Sequence, residues 1–228
     1  MTALDELTAL FARPDLARLL DVLDGDGEET RVVGGAVRNT LMGIAVSDVD
    51  LATTAEPGVV VRRARRAGLT VIPTGIAHGT VTVLVEGRPF EVTTLRRDVT
   101  TDGRHAVVAF GRDFAEDARR RDFTMNALSA SRDGVLHDPV GGLPDLQARR
   151  VRFIGDARTR IREDYLRILR LFRFHAAYGE GPLDISARDA AIAERHGLAT
   201  LSAERINMEI AKLLVARRAA EVVPEIAE

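Results

Sequence analysis

Two aspartates on either side of one apolar residue are the first candidates for chemistry in this sequence. The stretch SDVDLATT places Asp48 and Asp50 around Val49. If the stretch is a strand, residues two apart point the same way, and the two Cβ atoms lie roughly 6–7 Å from each other. Carboxylates that close repel one another unless a cation lies between them. Mg²⁺ or Mn²⁺ would suit such oxygen ligands, although a lone DxD is more often a solvated strand end.

Residues nearby in the sequence favour the metal interpretation. Gly34 and Gly35 close a β-branched run and open a helix, a turn where backbone N–H groups can approach a phosphate. Arg38, one turn into that helix, could hold a triphosphate. Glu91 stands in the strand-like stretch FEVTTLR and is a candidate third ligand. The alternative for Glu91 is an exposed strand face.

Short strands and helices must position these residues in the N-terminal half. Pro14 at its start and DGDGEET after its end predict a helix over residues 14–23. The run TRVV and the stretch VSDVDLAT read as strands, with a short helix over AVRNTLMG between them. Further elements follow in order: a helix over EPGVVVRRARRAG, then strands over LTVIP, HGTVTVLVEG and RPFEVTTLR, the last two joined by a turn at EGRP. Residues 99–113 are polar and contain glycine, which predicts a mobile loop.

The C-terminal half has a helical pattern. ARTRIREDYLRILRLFRFHAAYG repeats its apolar residues every 3.6 positions, which predicts one long helix. Two further helices are expected around residues 187–196 and 203–216. The sequence therefore predicts an α+β protein, with a mixed-sheet half followed by an all-helical half and a junction near residue 140.

Composition excludes several classes of protein. The chain has 228 residues, 29% of them charged, and a formal net charge of −2, which does not by itself indicate a nucleic-acid binder. No cysteine is present, so disulfides, zinc ribbons and thiol nucleophiles are excluded. No apolar run approaches the ~20 residues of a membrane span, and the N-terminus carries acids where a signal peptide would be basic. A cytoplasmic location without a membrane partner is expected.

Six motifs, in order, give the chain a resemblance to a known family. They are GGAVRN with SDVDLAT, EVTTLRRD, EDARRRDFTMNAL, HDPVGGLPDL, REDYLRILRLFRF and LSAERINMEI. Together they resemble the class II tRNA nucleotidyltransferases, that is, the bacterial CCA-adding enzymes and poly(A) polymerases. The match runs from about residue 31 to residue 212. It implies a polymerase beta-like nucleotidyltransferase head over residues 1–140 and a helical neck over residues 141–228, with the body and tail absent.

The resemblance assigns roles to the N-terminal candidates. Asp48 and Asp50 match the catalytic metal carboxylates, and Glu91 matches the third. Two Mg²⁺ ions are implied, with Mn²⁺ as a substitute. Family members often have aspartate where this chain has Asn39, which we interpret as supporting the loop instead of the metal.

A second group of roles falls on RRDFTMNAL and on the flanking motifs. Arg121 and Asp122 are implied to contact the ribose and phosphates of the nucleotide, and Asn126 is a weaker candidate. The physical logic fits, since a carboxylate accepts from ribose hydroxyls and arginine holds phosphates. Gly141 and Gly142 match a hinge between head and neck.

The motif EDYLR is implied to read the base of the incoming nucleotide. Asp164 would accept from the exocyclic amine of C or A, and Arg167 would donate to the adjacent ring nitrogen, if both lie on one helix face. U and G present a carbonyl where that amine would be, which leaves two acceptors facing each other. The alternative is an ordinary helical ion pair, Asp164 or Glu163 with Arg167.

Three supporting assignments complete the expectations. Glu204 and Arg205 of the last motif are expected to brace the helix that carries EDYLR. The loop over residues 99–113 would help the switch from C to A. His78 and His105 receive no catalytic role.

The expected function is CCA addition, with CTP, ATP and the 3′ end of tRNA as partners. Poly(A) polymerase and C-only or A-only addition remain alternatives within the enzyme class. The alternative from another class is a binding module that holds nucleotide without turnover, because the chain is shorter than is usual in the family. The sequence leaves the oligomeric state open.

Overall fold

The computed structural model describes residues 3–73, 75–102 and 105–226. The chain divides into two compact units. The first comprises residues 1–120 and 126–139, and the second comprises residues 121–125 and 140–228. The division falls close to the predicted junction near residue 140. It differs in one respect, because the short segment 121–125 clusters with the helical unit.

The first unit is built on a seven-stranded mixed sheet with the strand order β3-β4-β5-β2-β1-β8-β9. The strands are β1 Thr30–Val33, β2 Asp50–Thr53, β3 Thr70–Ile72, β4 Thr80–Val85, β5 Arg88–Thr94, β8 Ser129–Ala130 and β9 Leu136–His137. Neighbouring strands are antiparallel except β2 and β5, which run parallel. That parallel pair places the start of β2 beside a residue about 40 positions later in the chain.

The predicted hairpin turn at EGRP is confirmed. Glu86 and Gly87 both have positive φ, at 51° and 81°. Two successive residues in this region form the turn that matches the twist of a two-residue hairpin. In β4 the valines at positions 81, 83 and 85 are fully buried, and they alternate with less buried residues.

The prediction of a mobile loop over residues 99–113 is wrong for most of that range. The chain forms β6 Arg96–Asp102 and β7 His105–Phe110, an antiparallel pair with a register shift between Asp98 and Thr101. The physical reason lies in the β-branched residues of VTT and AVVAF, which suit paired strands. The single glycines and the polar residues had concealed that pattern.

The first unit also contains α-helices. They are α1 Ala3–Phe11, α2 Pro14–Leu23, α3 Gly35–Leu41, α4 Pro57–Arg66 and α5 Phe114–Arg119. The predicted bounds of α2 are confirmed, and its leucines at positions 16, 19, 20 and 23 are completely buried. Helix α4 buries Pro57, Val60 and Ala64 on one face, as the 3.6-residue period requires.

The second unit is helical throughout its longer segments. Its helices are α6 Gly142–Gln147, α7 Ala157–Glu163, α8 Leu166–Tyr178, α9 Ile185–Glu194, α10 Ala203–Leu214 and α11 Ala219–Val222. Residues 195–200 add a 3₁₀ turn. Helix α7 lies against α9, whereas α8 lies against α10 and α11.

The prediction of one long helix over residues 157–179 is wrong. The chain leaves the helical conformation at Asp164, where φ is −159° and ψ is 106°, and α8 starts afresh at Leu166. Asp164 Oδ1 accepts a hydrogen bond from the N–H of Leu166 at 3.1 Å. An aspartate that bonds a nearby backbone N–H competes with helix continuation, and apolar periodicity does not reveal such a break.

In the part of the chain that the structure describes, no helix is long and apolar enough to cross a bilayer.

Candidate active site

Two carboxylates lie next to each other at the centre of the sheet. Asp50 opens β2, and the parallel register pairs it directly with Glu91 of β5. Both residues are exposed, while Leu51, one position into β2, is buried. Neighbouring strands lie about 4.8 Å apart, and paired residues project to the same side of the sheet. The first unit therefore presents a pair of acidic groups whose mutual repulsion a divalent cation would relieve.

Asp48 lies outside the strand, which corrects the prediction that both aspartates share a strand face. β2 begins only at Asp50. The alternation of burial persists, because Val49 is 3% exposed between two exposed aspartates. Asp48 Oδ2 accepts a hydrogen bond from the hydroxyl of Ser47 at 2.9 Å.

The argument for a metal ion rests on the pair of Asp50 and Glu91 and on the chemistry of their carboxylate oxygens. Among the described residues, no group of three His, Cys, Asp or Glu side chains is arranged to hold a metal ion. Two adjacent exposed carboxylates, with only oxygen donors, nevertheless fit Mg²⁺, which keeps several waters and shares the phosphates of a substrate. The assignment of Asp48, Asp50 and Glu91 as metal ligands stays a prediction.

The glycine turn after β1 holds the start of α3 against β8. Gly34 has φ 63°, in the left-handed region that favours glycine, and its N–H donates to the carbonyl of Leu128 at 3.0 Å. Its carbonyl accepts from the N–H of Arg38 at 3.0 Å. Because the N–H of Gly34 is already bonded, Gly35 is the one glycine of the two whose N–H can meet a phosphate. The binding of a phosphate at this turn stays a prediction.

Arg38 is held in place by two asparagine side chains. It is only 6% exposed, and its Nη1 donates to Oδ1 of Asn126 at 2.6 Å. Nε and Nη2 donate to Oδ1 of Asn39 at 3.1 and 2.9 Å. A guanidinium held at three nitrogens has little freedom left to lose when it meets a phosphate.

Asn39 also contacts the loop after α3. Its Nδ2 donates to the carbonyl of Ala45 at 3.4 Å, a weak hydrogen bond. One amide thus joins Arg38 to the segment that leads toward Asp48. These contacts agree with our interpretation of Asn39 as a support for the loop.

In the second unit, Asp122 is buried and paired with an arginine. It is 8% exposed, and its Oδ2 accepts from Nε and Nη2 of Arg170 at 2.8 and 2.5 Å. Oδ1 accepts from the N–H of Phe123 at 2.8 Å. Asp122 therefore anchors helix α8. Its contact with a ribose, and that of the half-buried Arg121 with phosphates, stay predictions.

Sequence reasoning missed the charged residues around Asp122. Glu209 of α10 is 6% exposed and lies 2.6 Å from Arg173 and 3.8 Å from Arg170. Burial lowers the pKa of the Arg173 guanidinium, although the nearby Glu209 opposes that shift. The signal in the sequence is the series of arginines at positions 167, 170 and 173, whose spacing of three aligns them along α8.

Of the predicted base-reading pair, Asp164 lies between helices α7 and α8, whereas Arg167 lies in the first turn of α8. Asp164 Oδ2 accepts from Nη2 of Arg205 at 2.7 Å, which supports the bracing expected of Arg205. Glu204 lies exposed in the first turn of α10. Arg167 Nη1 donates to Glu163 Oε2 at 2.5 Å and to the carbonyl of Arg160 at 2.8 Å.

The ion pair between Glu163 and Arg167, which the sequence offered as an alternative, is therefore present. It does not exclude base reading by the same residues. A carboxylate offers about four lone-pair sites, so Asp164, which accepts from Leu166 and Arg205, keeps hydrogen-bonding capacity beyond these partners.

Packing explains the glycine pair predicted as a hinge. Gly141 has φ 72°. A Cβ on Gly142 would lie 2.1 Å from the carbonyl oxygen of Thr124, so Gly142 permits a close backbone approach within the second unit. The hinge itself stays a prediction.

The remaining motif residues occupy ordinary surroundings. The His78 carbonyl accepts from Nη1 of Arg96 at 3.3 Å, and the His78 side chain is exposed. His105 begins β7, and its side chain lies outside the described residues.

These features define a class of protein, since the mixed sheet that carries the glycine turn and the carboxylate pair matches the nucleotidyltransferase fold of a solved CCA-adding enzyme. A family model described as the poly A polymerase head domain matches residues 30–152. The chain belongs to this family. Both the predicted family and the predicted α+β fold are confirmed.

Relatives and solved structures agree with that assignment. The human mitochondrial CCA tRNA nucleotidyltransferase 1 is 45% identical over 213 residues, which are 92% of this chain and 49% of that protein. The crystal structure of the Bacillus stearothermophilus CCA-adding enzyme in complex with CTP superposes with a TM-score of 0.84 at 36% identity, covering 94% of this chain and 52% of that one. A tRNA nucleotidyltransferase complexed with a primer tRNA and an incoming ATP analog gives 0.74 at 28% identity, covering 90% and 58%.

The chain spans about half the length of the curated relatives it matches.

Proposed function

We propose that this chain carries the nucleotidyl-transfer and base-selection functions of a CCA-adding enzyme. It would add CMP and AMP, from CTP and ATP, to the 3′ end of tRNA. The observation that carries the proposal is the register between Asp50 and Glu91, which brings two exposed carboxylates together beside the glycine turn. The relatives support it, since they are named for this reaction or were crystallised with CTP, an ATP analog or tRNA.

Divalent cations complete the proposed site. Asp50 and Glu91 would hold them, with Asp48 as the further ligand, and the expected ions are two Mg²⁺ with Mn²⁺ as a substitute. When bound, such ions supply Lewis-acid activation of the attacking hydroxyl and neutralise charge on the leaving group.

The protein contributes position and fixed positive charge. Arg38, immobilised by Asn39 and Asn126, would hold the triphosphate, and the N–H of Gly35 would donate to a phosphate oxygen. The 3′-oxygen of the RNA forms a bond to the α-phosphorus as the bond from that phosphorus to the bridging oxygen breaks. Pyrophosphate leaves, and no covalent enzyme intermediate is required.

The second unit would select the base. Asp164 would accept from the exocyclic amine of C or A, and Arg167 would donate to the neighbouring ring nitrogen. Arg205 holds the Asp164 carboxylate, and Glu163 holds the Arg167 guanidinium, so both groups are restrained before a nucleotide arrives. Restraint of this kind lowers the entropy lost on binding.

Arg121 and Asp122 are proposed to assist with the phosphates and the ribose. Asp122 already accepts from Arg170 and from a backbone N–H. Its proposed contact with a ribose hydroxyl must therefore share the carboxylate with these partners. The proposed compartment is the cytoplasm, where CTP, ATP and tRNA are all present.

The test uses the purified chain, Mg²⁺, each labelled nucleotide in turn, and tRNA lacking its 3′ end, with products resolved to single nucleotides. Addition of two C residues and then one A is the expected result. A long ladder of A residues would instead indicate a poly(A) polymerase. Products with only C or only A added would indicate a C-adding or an A-adding enzyme. Saturable binding of CTP and ATP without any product would refute transfer by this chain and leave a nucleotide-binding module.

A further inference from the structure

Four arginines in the first unit form a surface that the proposed chemistry does not use. Arg62, Arg65 and Arg66 lie exposed on α4, and Arg18 of α2 reaches the end of that helix, where its Nη2 lies 3.5 Å from the carbonyl of Ala67. We refer to Arg18, Arg62, Arg65 and Arg66 as the α4 arginine patch.

The helix geometry explains why these side chains face solvent together. Pro57, Val60 and Ala64 form the buried face of α4. At 100° per residue, Arg62 and Arg66 lie opposite that face, one turn apart, with Cβ atoms about 5–6 Å from each other. Arg65 flanks them, so the guanidinium groups can each contact a different phosphate of an extended backbone.

The α4 arginine patch differs from several other arginines of the first unit in its lack of acidic partners. Arg31, Arg63 and Arg112 each pair with an acid, at 2.6, 2.8 and 2.9 Å. Across the described ranges, by contrast, no acid lies within ion-pair distance of a member of the patch. In a chain with a formal net charge of −2, this is a local concentration of uncompensated positive charge.

The composition of the patch favours a polyanion over a protein or a lipid surface. None of the exposed large hydrophobic residues lies on α4. A protein interface normally has an apolar centre, and a helix bound to a membrane needs an apolar face. Arginine side chains on a helix without exposed large hydrophobic residues suit phosphate groups.

We infer that the α4 arginine patch binds the phosphodiester backbone of the RNA substrate, independently of its sequence. This inference rests on the proposed function for the identity of the polyanion. The patch lies on a helix apart from the carboxylate pair and the glycine turn, so it would hold RNA without taking part in the transfer. Contacts of this kind position a nucleic acid but do not specify its sequence.

The test measures the dissociation constant for tRNA lacking its 3′ end over a range of NaCl concentrations, without nucleotides. The variant is Arg62→Gln/Arg65→Gln/Arg66→Gln, since glutamine keeps helix propensity and removes charge. The matched control is Arg149→Gln/Arg188→Gln/Arg217→Gln, which removes the same charge from arginines already paired with acids. Circular dichroism checks that both variants fold, and Arg66→Gln alone replaces the triple variant if it does not.

The slope of log K against log salt should fall by about 2 in the triple variant, or by about 0.7 in Arg66→Gln, because each phosphate contact in a single strand contributes about 0.7. An unrelated RNA hairpin should show the same fall. A slope that changes no more than in the control would overturn the inference, as would a loss of affinity confined to one RNA.

Nucleotide addition, measured separately, distinguishes this inference from the proposed function. If the wild type adds nucleotides and the salt slope of the variant is unchanged, the RNA-binding role of the patch is refuted and the proposed function stands. If the patch binds RNA but the wild type adds no nucleotide, the RNA-binding role stands and the proposed function is refuted.

Discussion

Neutralising one member of the carboxylate pair should weaken the stabilisation of the protein by divalent cations. In Glu91→Gln the side chain keeps its size, but the pair with Asp50 loses its repulsion. Two unit charges about 5 Å apart repel by about 0.8 kcal/mol at the dielectric constant of water. Because both residues are exposed, screening reduces that figure further. In EDTA the variant should therefore be as stable as the wild type or slightly more stable.

Divalent cations should reverse that order. Ligand at ten times its dissociation constant stabilises a folded protein by about 1.4 kcal/mol. For a chain of this size, that shifts Tm by roughly 3–6 °C. Wild type should gain this shift on addition of Mg²⁺ or Mn²⁺, whereas Glu91→Gln should gain much less. Nucleotide addition by the variant should fall about 100-fold or more, as when other groups that stabilise transition-state charge are removed.

Differential scanning fluorimetry with a titration of Mg²⁺ measures the shift. Glu86→Gln is the matched control, since it removes the same charge from the exposed turn between β4 and β5. Asp48→Asn extends the test to the residue before the strand, and it should abolish the shift only if Asp48 is a ligand. If Glu91→Gln retained both the full Mg²⁺ shift and normal turnover, the proposed metal site would be wrong.

Three further predictions concern base selection, arginine placement and packing. Asp164→Ala should lower discrimination against UTP and GTP roughly 10- to 100-fold, the range of a hydrogen bond left unpaired; competition assays that show unchanged selectivity would refute the base-reading role. Asn126→Ala removes the 2.6 Å acceptor of buried Arg38, so KM for CTP and ATP should rise and urea unfolding should show a loss of about 1–3 kcal/mol. An unchanged KM would show that Arg38 does not bind the triphosphate. Gly142→Ala places a Cβ 2.1 Å from a carbonyl oxygen and should cost about 2–3 kcal/mol in the same unfolding assay, whereas a loss below about 0.5 kcal/mol would mean that the backbone moves aside.

Local signals in the sequence determined much of the secondary structure. The residues that start and end α2 and the turn at Glu86–Gly87 appear where the sequence places them. Asp48, Asp50 and the glycine turn could also be named as candidates, because residues of these types at such short spacings are compatible with phosphate and metal chemistry. Such features depend on residues only a few positions apart.

Local patterns misplaced two elements for physical reasons. Asp164 interrupts the long helix through a side-chain bond to the backbone, which apolar periodicity cannot report. In the predicted loop, β6 and β7 form because each supplies the other with hydrogen bonds. A strand of this kind is stabilised by its partner as much as by its own residues.

Only the tertiary structure decided which residues meet. The contact between Asp50 and Glu91 depends on the parallel pairing of β2 with β5, and that pairing is a property of the whole sheet. Asp122 meets Arg170 across 48 positions, and Arg38 meets Asn126 across 88. Composition and spacing name the groups that can do chemistry, but chain folding alone brings distant groups within hydrogen-bonding distance, because such contacts depend on the path of every element between them.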